Sequence, residues 1–172
     1  MKKILIATSV LTFVGILWGI LWYLGVFAPQ FQEVQGKAID NITLHDTTGR
    51  RHGFEELRGK QTYIYFWTSW CSPCIQALSH LKKLPPNDSL AKNFVAVALD
   101  QNIPALKQGL KKSGFQGVFW IAENGTFLLQ QRAFGSEQRS VPFVLLLDEE
   151  GRIISHEYGI QDYEKFIEQL RK

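Results

Sequence analysis

The sequence predicts an α/β domain with a mixed central sheet and helices on both faces, preceded by one N-terminal transmembrane helix. Three observations predict this architecture. An uncharged apolar run opens the chain at Ile4–Phe27. Strand-like and helical segments then alternate, and the last two strand-like segments are joined by a tight turn, which favours a mixed sheet. The 172 residues, 45% of them hydrophobic, suffice for one such domain and an appendage.

The apolar run Ile4–Phe27 has the length of a membrane span. At ~1.5 Å per residue a helix of this length covers roughly 30 Å or more, whereas the apolar part of a signal peptide runs ~7–15 residues. Val26-Phe27-Ala28 has the spacing of a cleavage site, but Pro29 follows it and fits a peptidase poorly. Lys2 and Lys3 precede the run, which keeps the N-terminus in the cytoplasm. We expect a single-pass anchor, with a cleaved signal peptide as the alternative.

The charge distribution argues against a nucleic-acid partner. The net charge is +3, and Lys2 and Lys3 contribute two of these charges. Three basic pairs, Arg50-Arg51, Lys82-Lys83 and Lys111-Lys112, are isolated along the chain. Isolated pairs are typical of solvated surface rather than of a phosphate-binding track.

Composition predicts the domain boundaries. Residues 1–28 form the anchor or signal peptide. Residues 29–37 carry Gln, Pro and Gly with little periodicity and form a tether. Residues 38–172 form one folded domain, which we expect to be a monomer.

The first part of the domain leads to a central strand and its helix. A hairpin is predicted around a turn at Asp46–Gly49, and a single helical turn at Phe54–Leu57. The aromatic and β-branched residues of Gln61–Trp67 are typical of a strand buried on both faces. A helix follows at Cys74–Leu84, ended by Pro85-Pro86.

Strands and helices continue to alternate toward the C-terminus. Phe94–Leu99 predicts a second buried strand, Pro104–Ser113 a helix that ends before Gly114, and Val118–Ile121 a short strand. The remaining predicted elements are a turn at Asn124-Gly125, a helix at Thr126–Phe134, a buried strand at Phe143–Leu147, a hairpin turn at Asp148–Gly151, a strand at Arg152–Tyr158 and an amphipathic helix at Ile160–Leu170.

Cys71 and Cys74 are the only cysteines, and they stand where the central strand meets its helix. A thiolate attacks disulfides, and the unpaired N–H groups and positive pole of a helix N-terminus favour the thiolate of Cys71. Pro73 costs the helix little because it lies in the first turn. We expect Cys71 to be the nucleophile of a redox pair and Cys74 to resolve the mixed disulfide. Trp70 would shield the nucleophile and offer an apolar surface to a partner.

Two other interpretations of the cysteine pair stay open. A structural disulfide is one, although a loop this short restricts the unfolded chain little. Binding of Cu(I) by the pair is the other, although His80 lies about 180° around the helix from Cys71 and is no third ligand. We expect His45, His52 and His156 to be ordinary surface residues. We expect no metal and no cofactor besides the dithiol.

The stretch around the dithiol resembles a known active site. Phe66-Trp-Thr-Ser-Trp-Cys71-Ser-Pro-Cys74 is similar to the Trp-Cys-X-X-Cys stretch that ends the central strand of thioredoxin-fold proteins. The likeness covers about residues 37–172. Four further features are the anchor, the Leu57-Arg-Gly-Lys60 lead-in, the long segment between Leu99 and Val141, and Val141-Pro142 before a strand that ends in Asp148-Glu-Glu-Gly151-Arg-Ile. Together they resemble the membrane-tethered TlpA/ResA/CcmG (DsbE) group of thiol–disulfide oxidoreductases.

This resemblance implies a thioredoxin-like fold and assigns roles to the residues around Cys71 and Cys74. Pro142 corresponds to the cis-proline that faces the dithiol, and the backbone of Val141 would meet the substrate beside Trp70. Ser72 and Pro73 lie between the two cysteines and would modulate the site.

The resemblance also implies the reaction and its place. Members of the group work outside the cytoplasm, in the periplasm of bacteria, from the inner membrane. They commonly reduce protein cysteines, as in cytochrome c biogenesis, and a membrane thiol-electron donor recharges them. Ser72-Pro73 does not fix the direction, so a disulfide-forming oxidant remains an alternative. Copper carriers of the Sco type use three residues between their cysteines, so the spacing here argues against a metallochaperone.

Two departures from the family concern the proton of Cys74. Many thioredoxins carry a buried acid where this chain has Tyr65, and some tethered members carry Glu where it has Ser72. Asp100 and Glu123 each follow a predicted strand and are candidate proton acceptors, with a solvated loop acid as the alternative.

Overall fold

The computed structural model describes residues 2–24, 26, 31–85, 88, 92–123, 125, 134–135, 140–158 and 168. The predicted helices at Thr126–Phe134 and Ile160–Leu170 lie outside these residues except for Phe134 and Glu168. The described elements are α1 Lys2–Tyr23, α2 Phe31–Val34, β1 Leu44–His45, β2 Arg51–His52, a 3-10 helix Phe54–Leu57, β3 Thr62–Trp67, α3 Ser72–Leu81, β4 Phe94–Ala98, α4 Ile103–Ser113, β5 Val118–Ala122, β6 Phe143–Leu147 and β7 Ile153–Tyr158.

Within the described residues the strands form one seven-stranded sheet in the order β2-β1-β5-β4-β3-β6-β7. β3, β4 and β5 are parallel, and β6, β7, β1 and β2 join them by antiparallel pairing. The predicted mixed sheet is therefore confirmed. β3 lies inside the sheet between β4 and β6, and every one of its residues is buried, as its apolar composition predicts.

Alternate residues of β3 contribute to two separate cores. Tyr65 and Trp67 pack with α3 and α4 on one face of the sheet. Phe66 packs on the other face, where the 3-10 helix and Phe134 contribute to the core. Among the described residues, the two long helices of the domain therefore share one face. Both helices that the sequence predicts beyond α4 fall largely outside the description.

The ends of α3 and α4 depend on proline and glycine. α3 ends at Leu81 and not at the predicted Leu84, because residues 82–84 form tight turns in which Leu84 N–H donates to Leu81 O at 3.1 Å. Pro85 disfavours a helical backbone at Leu84, which explains the early end. α4 ends at Ser113 as predicted, and its C-cap Gly114 has a φ of 65°, the left-handed conformation that glycine adopts readily.

Two aspartates close the predicted hairpin turns. Asp46 Oδ1 accepts bonds from the N–H groups of Thr48 and Arg50 at 2.8 and 3.1 Å. Asp148 Oδ1 does the same for Glu150 and Arg152 at 3.0 and 2.7 Å. Both turns follow from aspartate's capacity to bond the backbone two residues ahead.

The N-terminal helix α1 carries exposed apolar side chains along its described part. Leu11 is 71% and Phe13 68% exposed. Across the described part of the chain, no helix is long and apolar enough to cross a membrane. The membrane anchor stays a prediction.

Candidate active site

Cys71 and Cys74 lie at the carboxyl end of β3, where the chain enters α3. They form a disulfide with their Cα atoms 5.2 Å apart. Cys71 has extended backbone angles and is the N-cap of α3, and its Sγ accepts a hydrogen bond from Cys74 N–H at 3.2 Å. The strand–helix junction and the bridge within the pair are therefore as predicted.

The position of Cys71 explains how a thiolate would be stabilised there. The first N–H groups of a helix have no partner within the helix, and Cys71 Sγ takes one of them. Pro73 has no N–H and occupies the first turn without breaking the helix. A negative charge on Cys71 Sγ would face the same N–H and the positive end of the helix dipole.

The two cysteines differ in burial in the predicted direction. Cys74 is fully buried, whereas Cys71 retains 5% exposure. Beside them, Trp70 is 74% exposed, although tryptophan is highly buried on average. Trp70 therefore offers the apolar surface next to the nucleophile that the sequence predicts.

The Val141–Pro142 peptide bond is cis, as the family resemblance implies. This bond comes directly before β6, whose first residue Phe143 pairs with Phe66 of β3. Because β3 and β6 are neighbours, the cis peptide lies at the same end of the strands as the dithiol. Val141 also packs against the core cluster that contains both cysteines.

Asp100 holds the loop that leads into Cys71. Its carboxylate accepts bonds from the backbone N–H and the hydroxyl of Ser69, at 2.6 and 3.1 Å. It also accepts a bond from Asn102 N–H at 3.3 Å. Its oxygens are thus engaged with neighbours, and Asp100 is a positioning residue for the loop. The sequence marked Asp100 only as a candidate proton acceptor and did not mark Ser69, while the other candidate, Glu123, is exposed.

Tyr65 lies beneath the first turn of α3. It is fully buried, and its hydroxyl donates a hydrogen bond to the backbone carbonyl of Cys74 at 3.2 Å. The ring packs against Phe94, with 5.4 Å between the ring centroids. The residue that stands where many thioredoxins carry an acid therefore contacts the backbone of the resolving cysteine. The sequence showed the departure but not this contact.

His45, His52 and His156, which the sequence predicts to be ordinary surface residues, are all partly buried and partly exposed. Of the three, His52 departs from the prediction because it makes specific contacts. His52 stacks on Trp120, with 4.9 Å between ring centroids. Hydrophobic ring contacts like this one are made across the sheet and are not visible in local sequence.

His52 also joins two carboxylates into an edge cluster of Asp46, His52 and Glu56. Its Nδ1 lies 3.0 Å from Glu56 Oε2, and its Nε2 lies 3.4 Å from Asp46 Oδ2. The bond to Glu56 is the main reason that the pKa of His52 is raised, and it lowers the pKa of Glu56. The Thr48 hydroxyl is the main group that lowers the pKa of Asp46. This cluster joins β2 to the turn after β1 and to the 3-10 helix, several strands from the dithiol.

The mixed sheet, the cysteine pair at the strand–helix junction and the cis-proline beside it define the class of thioredoxin-like thiol–disulfide oxidoreductases. The chain belongs to the Redoxin family, whose model matches residues 34–169.

Three similar proteins illustrate this membership. The chain is 26% identical over 155 residues to the thiol-disulfide oxidoreductase ResA of Bacillus cereus, covering 90% of this chain and 87% of that protein. It is 25% identical over 175 residues to ResA of Halalkalibacterium halodurans, covering 99% and 96%. The thioredoxin domain of a thiol-disulfide oxidoreductase from Bacteroides vulgatus shares the fold, with a TM-score of 0.60 at 19% identity over 80% of this chain and 98% of that domain. The predicted resemblance and the predicted enzyme class are confirmed.

Proposed function

We propose that this protein is a membrane-anchored reductase of protein disulfides outside the cytoplasm, working through Cys71 and Cys74. The observation that carries the proposal is the placement of Cys71 Sγ as the N-cap acceptor of α3, with Cys74 buried behind it. This arrangement favours a thiolate at the one cysteine that a substrate can reach.

The reaction begins with the reduced pair. The Cys71 thiolate attacks one sulfur of a substrate disulfide, forming a bond to that sulfur while the other substrate sulfur leaves as a thiolate and takes up a proton. Cys74 then loses its proton and attacks Cys71 Sγ, which releases the second substrate sulfur as a thiol. The substrate gains two electrons, and the enzyme ends with the Cys71–Cys74 disulfide that the structure contains.

The residues around the pair have proposed roles in substrate binding. The backbone of Val141, before the cis bond to Pro142, would pair with an extended substrate segment. The exposed ring of Trp70 would contact apolar substrate side chains. Ser72 and Pro73 would modulate the stability of the thiolate from within the first turn. No cofactor besides the dithiol is needed for this cycle.

A membrane location is part of the proposal. The uncharged run Ile4–Phe27, the two lysines before it and the exposed apolar side chains of α1 support an anchor at residues 1–28. The match to Halalkalibacterium halodurans ResA covers 99% of this chain and so includes the apolar run. A tether at 29–37 and a monomeric domain at 38–172 would then stand outside a bacterial inner membrane, with the N-terminus in the cytoplasm.

The proposal that electrons flow from the dithiol to the substrate is based on the relatives. The family resemblance supports reduction of protein disulfides, for example in cytochrome c biogenesis, with recharging by a membrane thiol-electron donor. The test is the reduction potential of the Cys71–Cys74 pair together with insulin reduction. A reductase should have a potential near ~−270 mV or below, whereas a value near ~−120 mV would indicate a disulfide-forming oxidant. Tight Cu(I) binding without insulin reduction would contradict both redox directions and support a metal carrier.

A further inference from the structure

We propose that the end of the domain opposite the dithiol docks on an anionic bilayer surface. The docking surface consists of the lysine group, which is Lys82, Lys83, Lys111 and Lys112, and the apolar groove beside it. This inference rests on the proposed membrane anchor and adds the orientation in which the domain meets the membrane.

The lysine group joins two basic pairs that are isolated in the sequence. Lys82 and Lys83 follow α3, and Lys111 and Lys112 end α4, which packs beside α3. A Cβ placed on Gly114 would lie 2.8 Å from Lys82 Nζ, so the Lys82 side chain reaches over the end of α4. All four lysines are exposed. The isolated pairs therefore form one basic surface.

The segment that carries the lysine group is more basic than the chain as a whole. Residues 69–122 contain six lysines and two aspartates, whereas the whole chain has a net charge of +3. One of these two aspartates, Asp100, lies at the dithiol end, where it accepts a hydrogen bond from Ser69 N–H. Lysines at helix ends are favoured by the helix dipole, which accounts for part of the pattern. The helix dipole does not account for the apolar groove beside Lys82.

The apolar groove lies beside Lys82 at the same end of the sheet. It has a volume of about 280 Å³, and its lining residues are Leu81, Lys82, Leu84, Phe94, Phe115, Gln116 and Gly117. Phe94 is the first residue of β4 and pairs with Tyr63 near the start of β3, so the groove marks the amino end of the parallel strands. Apolar surface rimmed by lysine matches the interface of a bilayer with anionic headgroups.

The tether enters the domain at this same end. Gly36 N–H bonds Ile153 O at 2.8 Å, and Ile39 N–H bonds Gly151 O at 3.0 Å. Gly151 follows β6, which runs antiparallel to β3 and ends with Leu147 opposite Thr62, the first residue of β3. The entry point and the groove therefore lie at the same end of the sheet, and the dithiol lies at the other end of β3.

The length of the tether keeps this end close to the membrane. The eight residues 28–35, between the apolar run and Gly36, span at most about 29 Å even when fully extended. The turn at Asp148–Gly151 beside the entry point is acidic, so anionic lipid would repel it. The domain would therefore contact the bilayer through the ends of α3 and α4, with Cys71 directed away from the bilayer toward protein substrates.

The test is amide hydrogen exchange of the full chain in phosphatidylcholine nanodiscs, with and without roughly 30% phosphatidylglycerol. We expect exchange in residues 81–85 and 111–118 to slow about fivefold or more in the anionic discs, since each lysine near such a surface is worth roughly fivefold in affinity. High salt should reverse the protection. Lys111→Gln with Lys112→Gln should weaken it, and adding Lys82→Gln with Lys83→Gln should abolish it.

A matched control removes two charges at β2, an edge strand of the sheet away from the lysine group. Arg50→Gln with Arg51→Gln should leave the protection unchanged. Equal exchange in both kinds of disc, or protection that survives removal of the lysine group, would overturn the docking surface. Loss of the full chain from the discs in a high-salt wash would overturn the anchor and the docking with it. Insulin reduction in the same discs reports the proposed redox function separately, because docking and disulfide exchange use opposite ends of the domain.

Discussion

The dithiol site and the edge cluster show two different uses of polar residues in one sheet. At the dithiol, Cys71 and Ser69 are held by neutral hydrogen bonds and one engaged carboxylate, that of Asp100. At the edge cluster, two carboxylates and His52 lie within bonding distance and shift one another's pKa values. Only the dithiol site contains a group that can exchange a bond with a substrate.

A shifted pKa does not by itself mark a catalytic site. Ion-pair networks that stabilise a fold shift pKa values as active sites do. His52 stacks on Trp120 and connects the turn at Asp46 to the 3-10 helix, so its role is to hold the hairpin against β5. Variants of the dithiol site should therefore change redox activity, whereas variants of the edge cluster should change stability.

Replacing Cys71 should have the largest effect. Cys71→Ser should reduce insulin reduction to the uncatalysed level, because a serine hydroxyl at this position cannot form the mixed disulfide. Turbidity of insulin reports the activity, and circular dichroism reports the fold. Activity above background in this variant would show that Cys74 or another group attacks the substrate.

Replacing Asp100 should slow the reaction without removing the nucleophile. Asp100→Ala leaves Ser69 N–H without its 2.6 Å acceptor, and a hydrogen bond to a charged group is worth about 1.5–3 kcal/mol. We expect roughly a tenfold loss of kcat/KM, with an altered pH profile because the loop before Cys71 is displaced. Glu123→Ala is the control, since Glu123 is exposed. Equal losses in both variants would contradict a positioning role for Asp100.

Removing the Tyr65 hydroxyl should have a smaller effect. Tyr65→Phe removes the buried hydrogen bond from the Tyr65 hydroxyl to the Cys74 carbonyl and should lower the free energy of unfolding by about 1 kcal/mol. Tyr158→Phe removes a hydroxyl that also donates to a backbone carbonyl, that of Gly135, at 3.2 Å. Denaturant unfolding should show similar losses in both variants, but only Tyr65→Phe should change the reduction potential. A potential unchanged by Tyr65→Phe would limit the residue to a packing role.

His52→Gln should have the smallest effect, and only on stability. Because the folded protein raises the pKa of His52, its stabilisation is complete below the ordinary value of 6.5 and is lost as pH rises through the raised value. Because the pKa of Glu56 is lowered, its contribution is complete above 4.5 and is lost as pH falls through the lowered value. Melting curves should therefore show a larger deficit of the variant near pH 5.5 than near pH 9. An equal deficit at both pH values would contradict an ionic role, and insulin reduction should not change.

The sequence predicted the elements whose signals are local. The buried run of β3, the proline and glycine at the ends of α4, and the dithiol at a helix N-terminus are all visible within a few residues. The order of strands in the sheet confirmed the mixed sheet that their alternation predicted.

The sequence could not predict contacts between distant segments. Asp100 meets Ser69 across 31 positions, and Lys82 reaches Gly114, because neighbouring parallel strands and helices bring their ends together. The early end of α3 at Leu81 was missed because the periodicity of leucines continued past the last helical residue. Pro85 was the signal that could have corrected it.

The most direct test of the account is to trap the substrate on Cys71. Cys74→Ala in the native host removes the resolving thiol, so the mixed disulfide should persist and mass spectrometry should identify extracytoplasmic proteins linked to Cys71. Cys71→Ala with Cys74→Ala is the matched control and should trap none. If Cys74→Ala captures no more protein than this control, disulfide exchange with proteins through Cys71 is contradicted.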